Sequence, residues 1–177
     1  MRKLYINRNL IVLIISIIVL MDQITKLIAL NYLADNYIVK LIPGILHLNL
    51  VTNYGAAFSI LNNSSLLLKY ISLVASLVFA LMIFLNFYKT KLEQLGLAFL
   101  MAGSIGNGID RWLYGYVIDF IDIKAINFPI FNIADIAINV AILIILLDIL
   151  NKRKKNIYNQ TNYNYKTNIT INSKVDE

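Results

Sequence analysis

Cysteine is absent from the 177-residue chain, which excludes a disulfide framework and thiolate chemistry and leaves the compartment unreadable from redox usage. Histidine occurs once, at His47, so an HExxH zinc site has no second ligand. Charged residues are scarce at 15%, against 59% hydrophobic; soluble domains carry roughly 25% and 45–50%. A soluble fold of this length has nowhere to hide so much apolar surface. No G-x-S-x-G elbow is present: Gly103-Ser104-Ile105-Gly106 has the wrong spacing, and Gly106-Asn107-Gly108 is too weak for a dinucleotide loop.

What the chain does have is long apolar runs. Crossing about 30 Å of hydrocarbon takes about 20 such residues in a helix, because every backbone polar group must be satisfied within the segment. Four stretches qualify: about Leu10 to Ala29, Leu66 to Phe87, Leu95 to Trp112 and Ile133 to Leu150. The fold class expected is an all-α polytopic membrane protein with four transmembrane helices. A cleaved signal peptide is the alternative for the first run, but that run continues through Asp22 and Lys26 without a small-x-small cleavage site. Between the first and second spans, Pro43 and Gly44 mark a turn, and Leu46, Leu48 and Leu50 then alternate with His47, Asn49 and Val51. That is the period of a strand with one apolar face, and it predicts a small extracytoplasmic β element.

The formal charge of +6 invites a nucleic-acid reading, yet the basic residues sit where the chain leaves the membrane. Arg2, Lys3 and Arg8 precede the first span, Lys89 and Lys91 separate the second from the third, and Lys152, Arg153, Lys154 and Lys155 follow the fourth. The positive-inside bias places both termini in the cytoplasm and gives nucleic acid no part. Residues 1–150 then form the membrane domain. The tail, 151–177, is rich in Asn, Lys, Tyr and Thr and is expected to lack fixed structure; its first residues suit anionic lipid.

Ionisable residues in or near a membrane span are costly and therefore functional candidates, with snorkelling helix-end charges as the plain alternative. Asp22 and Lys26, then Asp110, Arg111 and Asp119, then Asp135 gather at the outer ends of the first, third and fourth spans. Helical spacing puts Asn107, Asp110 and Arg111 on one face, and Asn132, Asp135 and Asn139 on another. Glycines 96, 103, 106 and 108 make the third span the expected packing centre. A Ser72–Lys69 pair is conceivable, but Lys69 reads more simply as an interfacial charge.

What remains in quantity is aspartate. Two adjacent carboxylates share a proton, so one can activate water while the other hydrogen-bonds an amide carbonyl. Spacing makes Asp119 and Asp135 plausible partners, and Asp110 and Asp122 equally so. A proton- or cation-coupled transporter using the same carboxylates is the competing function; broken helices or inverted repeats would favour it, and neither is visible.

Five segments in register resemble those of the lipoprotein signal peptidases, or signal peptidase II. Asp22-Gln23-Ile24-Thr25-Lys26 is similar to D-Q-x-[ST]-K, and Asn53 to Ser59 to N-x-G-x-A-F; Gly106 to Arg111 resembles G-N-x-x-D-R, Val117 to Phe120 V-x-D-F, and Phe131 to Asp135 F-N-x-A-D. The resemblance implies that Asp119 and Asp135 are the catalytic pair of an aspartic endopeptidase that needs no metal or cofactor. It implies that Asp22, Lys26, Asn53, Gly55, Asn107, Asp110, Arg111 and Asn132 support the site or the substrate, with Gly55 needed for backbone geometry and Phe58 for packing or lipid contact. The substrate implied is a prolipoprotein already bearing diacylglycerol on its cysteine, cut at the outer face of the bacterial inner membrane, with membrane lipid as the other partner and a monomer as the expected state.

Overall fold

The structure, a computed structural model, describes residues 5–33, 37–55, 64–126 and 128–175, giving the backbone alone for Ser65 and for 161–175. Phe58 and the Ala56 to Ser59 part of the second motif lie outside the described residues. In chain order the elements are α1 (Arg8–Tyr32), β1 (Val39–Ile42), β2 (Leu46–Asn53), α2 (Ser65–Phe84), α3 (Lys91–Leu113), β3 (Val117–Ile123), a 3-10 turn (Lys124–Ile126) and α4 (Ile133–Val175).

The helix ends follow from local chemistry. Asn7 caps α1 by accepting from the Asn9 amide at 2.9 Å, and Thr90 caps α3 by accepting from the Glu93 amide at 3.0 Å. The helix α2 stops in a Schellman motif: Phe87 N–H reaches the Met82 carbonyl at 2.8 Å and Asn86 N–H the Ile83 carbonyl at 3.3 Å, with Asn86 left-handed at φ 57°. At the end of α3, Gly115 takes φ 82° just past the last turn, a conformation that any Cβ would strain.

The central helix is α3, which packs against α1, α2 and α4. Its contact with α4 is close because glycine lines it. A Cβ on Gly103 would lie 2.6 Å from the Ala134 carbonyl oxygen, and one on Gly106 would lie 3.0 Å from Ala134 Cβ, as well as 2.6 Å from Asp22 Oδ2 on α1. The bundle is polar inside and apolar outside. Asp22, Lys26, Asp110 and Asn132 are buried, whereas Leu20, Leu27, Val74 and Leu146 are exposed, the arrangement that a hydrocarbon solvent favours.

Among the described residues three helices are long and apolar enough to cross a membrane: Arg8–Tyr32, Leu66–Phe84 and Ile133–Gln160. The expected fourth, α3, falls short by that measure because it carries Glu93, Gln94, Asn107, Asp110 and Arg111. These groups are met by its three neighbours rather than by lipid, which is why a helix of such polarity can sit at the centre.

The β element is larger than expected. It is a three-stranded antiparallel sheet in the order β1-β2-β3, so the chain adds a strand after α3 to the hairpin between α1 and α2. The pairs Leu46↔Ile123, Val51↔Asp119 and Asn53↔Val117 set the β2–β3 register, which slips between Leu48 and Val51. Such a slip re-aims side chains, and here it lies beside Asp119. The backbone of α4 stays helical to Val175. Extending an existing helix avoids the cost of nucleation, so a polar sequence can continue it.

Candidate active site

Two junctions build the site. At the first, β3 meets the start of α4: the Phe131 amide donates to the Ile121 carbonyl at 3.1 Å and the Ile121 amide to the Phe131 carbonyl at 2.9 Å. This bridge sets Asn132, just before α4, against Asp119. At the second, α4 begins with a reciprocal cap: the Asp135 amide donates to Asn132 Oδ1 at 2.9 Å, and the Asn132 amide to Asp135 Oδ2 at 3.2 Å. This capping-box arrangement satisfies two backbone donors at once and fixes the Asp135 carboxylate.

Asn132 joins the two aspartates. It is fully buried, and its Nδ2 donates to Asp119 Oδ1 at 2.7 Å, to Asn107 Oδ1 at 3.0 Å and to the Ile118 carbonyl at 3.2 Å. The other oxygen of Asp119 accepts from Asn53 Nδ2 at 2.9 Å, and Asp135 Oδ1 accepts from Asn107 Nδ2 at 2.8 Å. Burial first, and then the neighbouring Asp135 carboxylate, push the Asp119 carboxyl from 3.8 up to about 7, against the pull of the Asn53 and Asn132 amides.

Behind this pair lies a buried ionic triad. Lys26 Nζ lies 2.8 Å from Asp22 Oδ2, 2.8 Å from Asp110 Oδ2 and 3.0 Å from Asn107 Oδ1. Its three N–H donors therefore have three acceptors. Asp22 Oδ1 accepts from the Ala134 amide at 2.8 Å, a donor of the first turn of α4, and Asp110 Oδ2 accepts from the Ile118 amide at 3.1 Å. The triad thus locks α1, α3, β3 and α4 together. Such a set is costly to desolvate, and removing one partner is costlier still.

On the open side, Arg111 donates from Nη1 to Ser72 Oγ at 3.1 Å and from Nη2 to the Gly55 carbonyl at 3.3 Å. The Gly55 amide donates to Asn53 Oδ1 at 2.9 Å. The turn after β2 is therefore held to α2 and α3, and Asn53 is turned to Asp119.

All ten residues singled out in the sequence meet in this network. Asp122 does not: it pairs across the sheet with His47 and lies 3.5 Å from Lys124. Asp110 also separates from the pair, since Lys26 and Gln23 occupy its carboxylate. Lys69 Nζ sits 4.0 Å from the centre of the Trp112 ring rather than on Ser72, which donates instead to the Leu68 carbonyl. Gln23 belongs to the site as well, its Nε2 donating at 3.1 Å to Asp22, Asp110 and the Gly106 carbonyl. Its adjacency to Asp22 was the available signal. The cap was legible too: N-x-x-D before an apolar run is a helix-start signature.

The model of the family described as "Signal peptidase (SPase) II" matches residues 14–151, which takes in every residue of this network. The chain belongs to the signal peptidase II family. Lipoprotein signal peptidase of Parasynechococcus marenigrum is 46% identical over 140 residues, covering 78% of this chain and 87% of the relative. That of Gloeothece citriformis is 45% identical over 133 residues, covering 72% and 80%. A solved structure described as "Bacterial membrane enzyme structure by the in meso method at 2.3 A resolution" superposes with a TM-score of 0.79 at 30% identity, covering 86% of this chain and 94% of that one. Family and spanning helices together make the chain a multi-pass membrane protein of a peptidase family.

Proposed function

We propose that this signal peptidase II family member removes the signal peptide of diacylglyceryl-modified prolipoproteins, with Asp119 and Asp135 as the catalytic pair. The observation that carries the reading is Asn132, which binds Asp119 through its side-chain amide and Asp135 through its backbone amide and side-chain oxygen. Two carboxylates fixed this way share a proton in the neutral range, and the raised Asp119 is consistent with that. Among the described residues no comparable arrangement surrounds Asp110 or Asp122.

The ionised carboxylate takes a proton from water as the water oxygen bonds to the scissile carbonyl carbon. The protonated carboxyl gives a hydrogen bond, then its proton, to the carbonyl oxygen. As the tetrahedral intermediate collapses, the carbon–nitrogen bond breaks, the amine of the lipid-bearing cysteine leaves with a proton from one carboxyl, and a diol hydroxyl returns its proton to the other as the carbonyl re-forms, which restores the pair. The Asn53, Asn107 and Asn132 amides hold both carboxylates in place beforehand. Arg111 borders the open side with donors to spare, suited to a peptide carbonyl.

A lipid on the substrate cysteine holds the scissile bond at the membrane surface, and that binding energy positions it against the aspartates. With both termini cytoplasmic and α3 as the fourth span, the aspartate end of the bundle faces outward. The test is cleavage by purified protein of a prolipoprotein with and without its diacylglyceryl group. Cleavage of the lipidated precursor alone is expected; equal cleavage of both, or of neither, contradicts the proposal.

A further inference from the structure

At the end of the bundle away from the aspartates, α1 and α2 each pack on α3 but hardly on each other. Between them lies a cleft of about 390 Å3, walled by Ile11, Val12 and Ile15 of α1 and by Leu77, Ala80 and Leu81 of α2, with Met101 of α3 also lining it. Its lining is apolar except for Arg8, which sits about 21 Å along α1 from Asp22 at 1.5 Å per residue. Its volume is within the ~300–1,000 Å3 of ordinary ligand sites.

Arg8 is held where it is. The Ile6 amide donates to Gln94 Oε1 at 2.7 Å, and Gln94 Nε2 donates back to the Ile6 carbonyl at 3.0 Å. Gln94 is buried, and the Tyr5 ring packs edge-on against Tyr88 at 4.9 Å. The segment before α1 is thereby tied to the start of α3. The guanidinium lies 5.3 Å over the Phe84 ring and Nη2 donates to the Phe84 carbonyl at 3.4 Å, which leaves most of its donors unused. Among the described residues Arg8 forms no ion pair: the carboxylates at this end, Glu93 and Asp148, are both taken by Lys152. Among the described residues exposed Lys89 and Lys91 form no side-chain ion pair either and add positive charge.

We propose that this cleft is a binding site for one anionic phospholipid, with an acyl chain between α1 and α2 and its phosphate on Arg8. An apolar slot open to hydrocarbon takes an alkyl chain. An anchored, unneutralised guanidinium at the mouth selects a phosphate, with bidentate geometry that an ammonium lacks. The site is separate from the aspartate network and does not depend on the reaction assigned to it.

The experiment is native mass spectrometry of the purified full-length protein, released from neutral detergent micelles containing equal phosphatidylglycerol and phosphatidylcholine. Wild type should retain one phosphatidylglycerol with a preference of roughly fivefold over phosphatidylcholine, the weight of one cation at an anionic surface. Arg8→Gln should abolish the preference and Arg8→Lys restore part of it. Ala80→Phe, or Leu81→Trp should the first not accumulate as folded protein, should remove the retained lipid itself. No preference in wild type, an unchanged preference in Arg8→Gln, or retention undiminished by both cleft-filling variants overturns the proposal.

Discussion

Asn132 serves two purposes at once, and a substitution can separate them. Serine keeps an oxygen for the Asp135 amide and so preserves the cap, but loses the amide nitrogen that reaches Asp119 at 2.7 Å. Asn132→Ser should lower kcat by ~10²-fold or more while thermal unfolding shifts little; equal losses in both would make the residue structural only. Asp119 gives a prediction with a sign. Its folded-state value is raised, so its favourable contribution is complete only below about 4 and is lost as pH rises through about 7. The melting-temperature advantage of Asp119→Asn over wild type should therefore grow by a few degrees between about pH 5 and pH 8. Activity should fall on the same alkaline limb, as the pair loses its shared proton. An advantage that does not change with pH contradicts the burial of a proton-binding carboxylate there.

At the scale of elements, α1, α2 and α4 were legible because an uninterrupted apolar run of spanning length has few other uses. The strand β3 was not. Val117 to Ile123 is short, and four of its first residues, Val117 to Phe120, are buried on both faces, so no one-sided alternation announces it. Its partner β2 lies about seventy residues earlier, beyond any local signal. Glycine spacing did mark α3 as the packing centre, though not which glycines lack room. Gly103→Ala, whose Cβ meets a backbone oxygen at 2.6 Å, should lower the melting temperature by several degrees, at ~1–3 kcal/mol for overpacking. Gly108→Ala, whose nearest neighbour is Ser72 Cβ at 3.4 Å, should be tolerated; equal stability of the two would place the α3–α4 contact elsewhere.

At the scale of the whole molecule, an apolar exterior surrounds a polar end where α1, α3, β3 and α4 meet. Helical spacing showed which polar groups share a face, but not what stands across from them. It could not show Lys26 between Asp22 and Asp110, nor choose Asp119 and Asp135 over Asp110 and Asp122. That choice came from the resemblance; Lys26 pairs with Asp110, whereas among the described residues the side chains bonded to Asp119 are the amides of Asn53 and Asn132. The most direct measurement is cleavage of a diacylglyceryl-modified prolipoprotein by purified wild type, Asp119→Asn and Asp135→Asn, each verified as folded by its melting curve. Wild type should cleave and neither variant should; cleavage retained by either folded variant would contradict Asp119 and Asp135 as the catalytic pair.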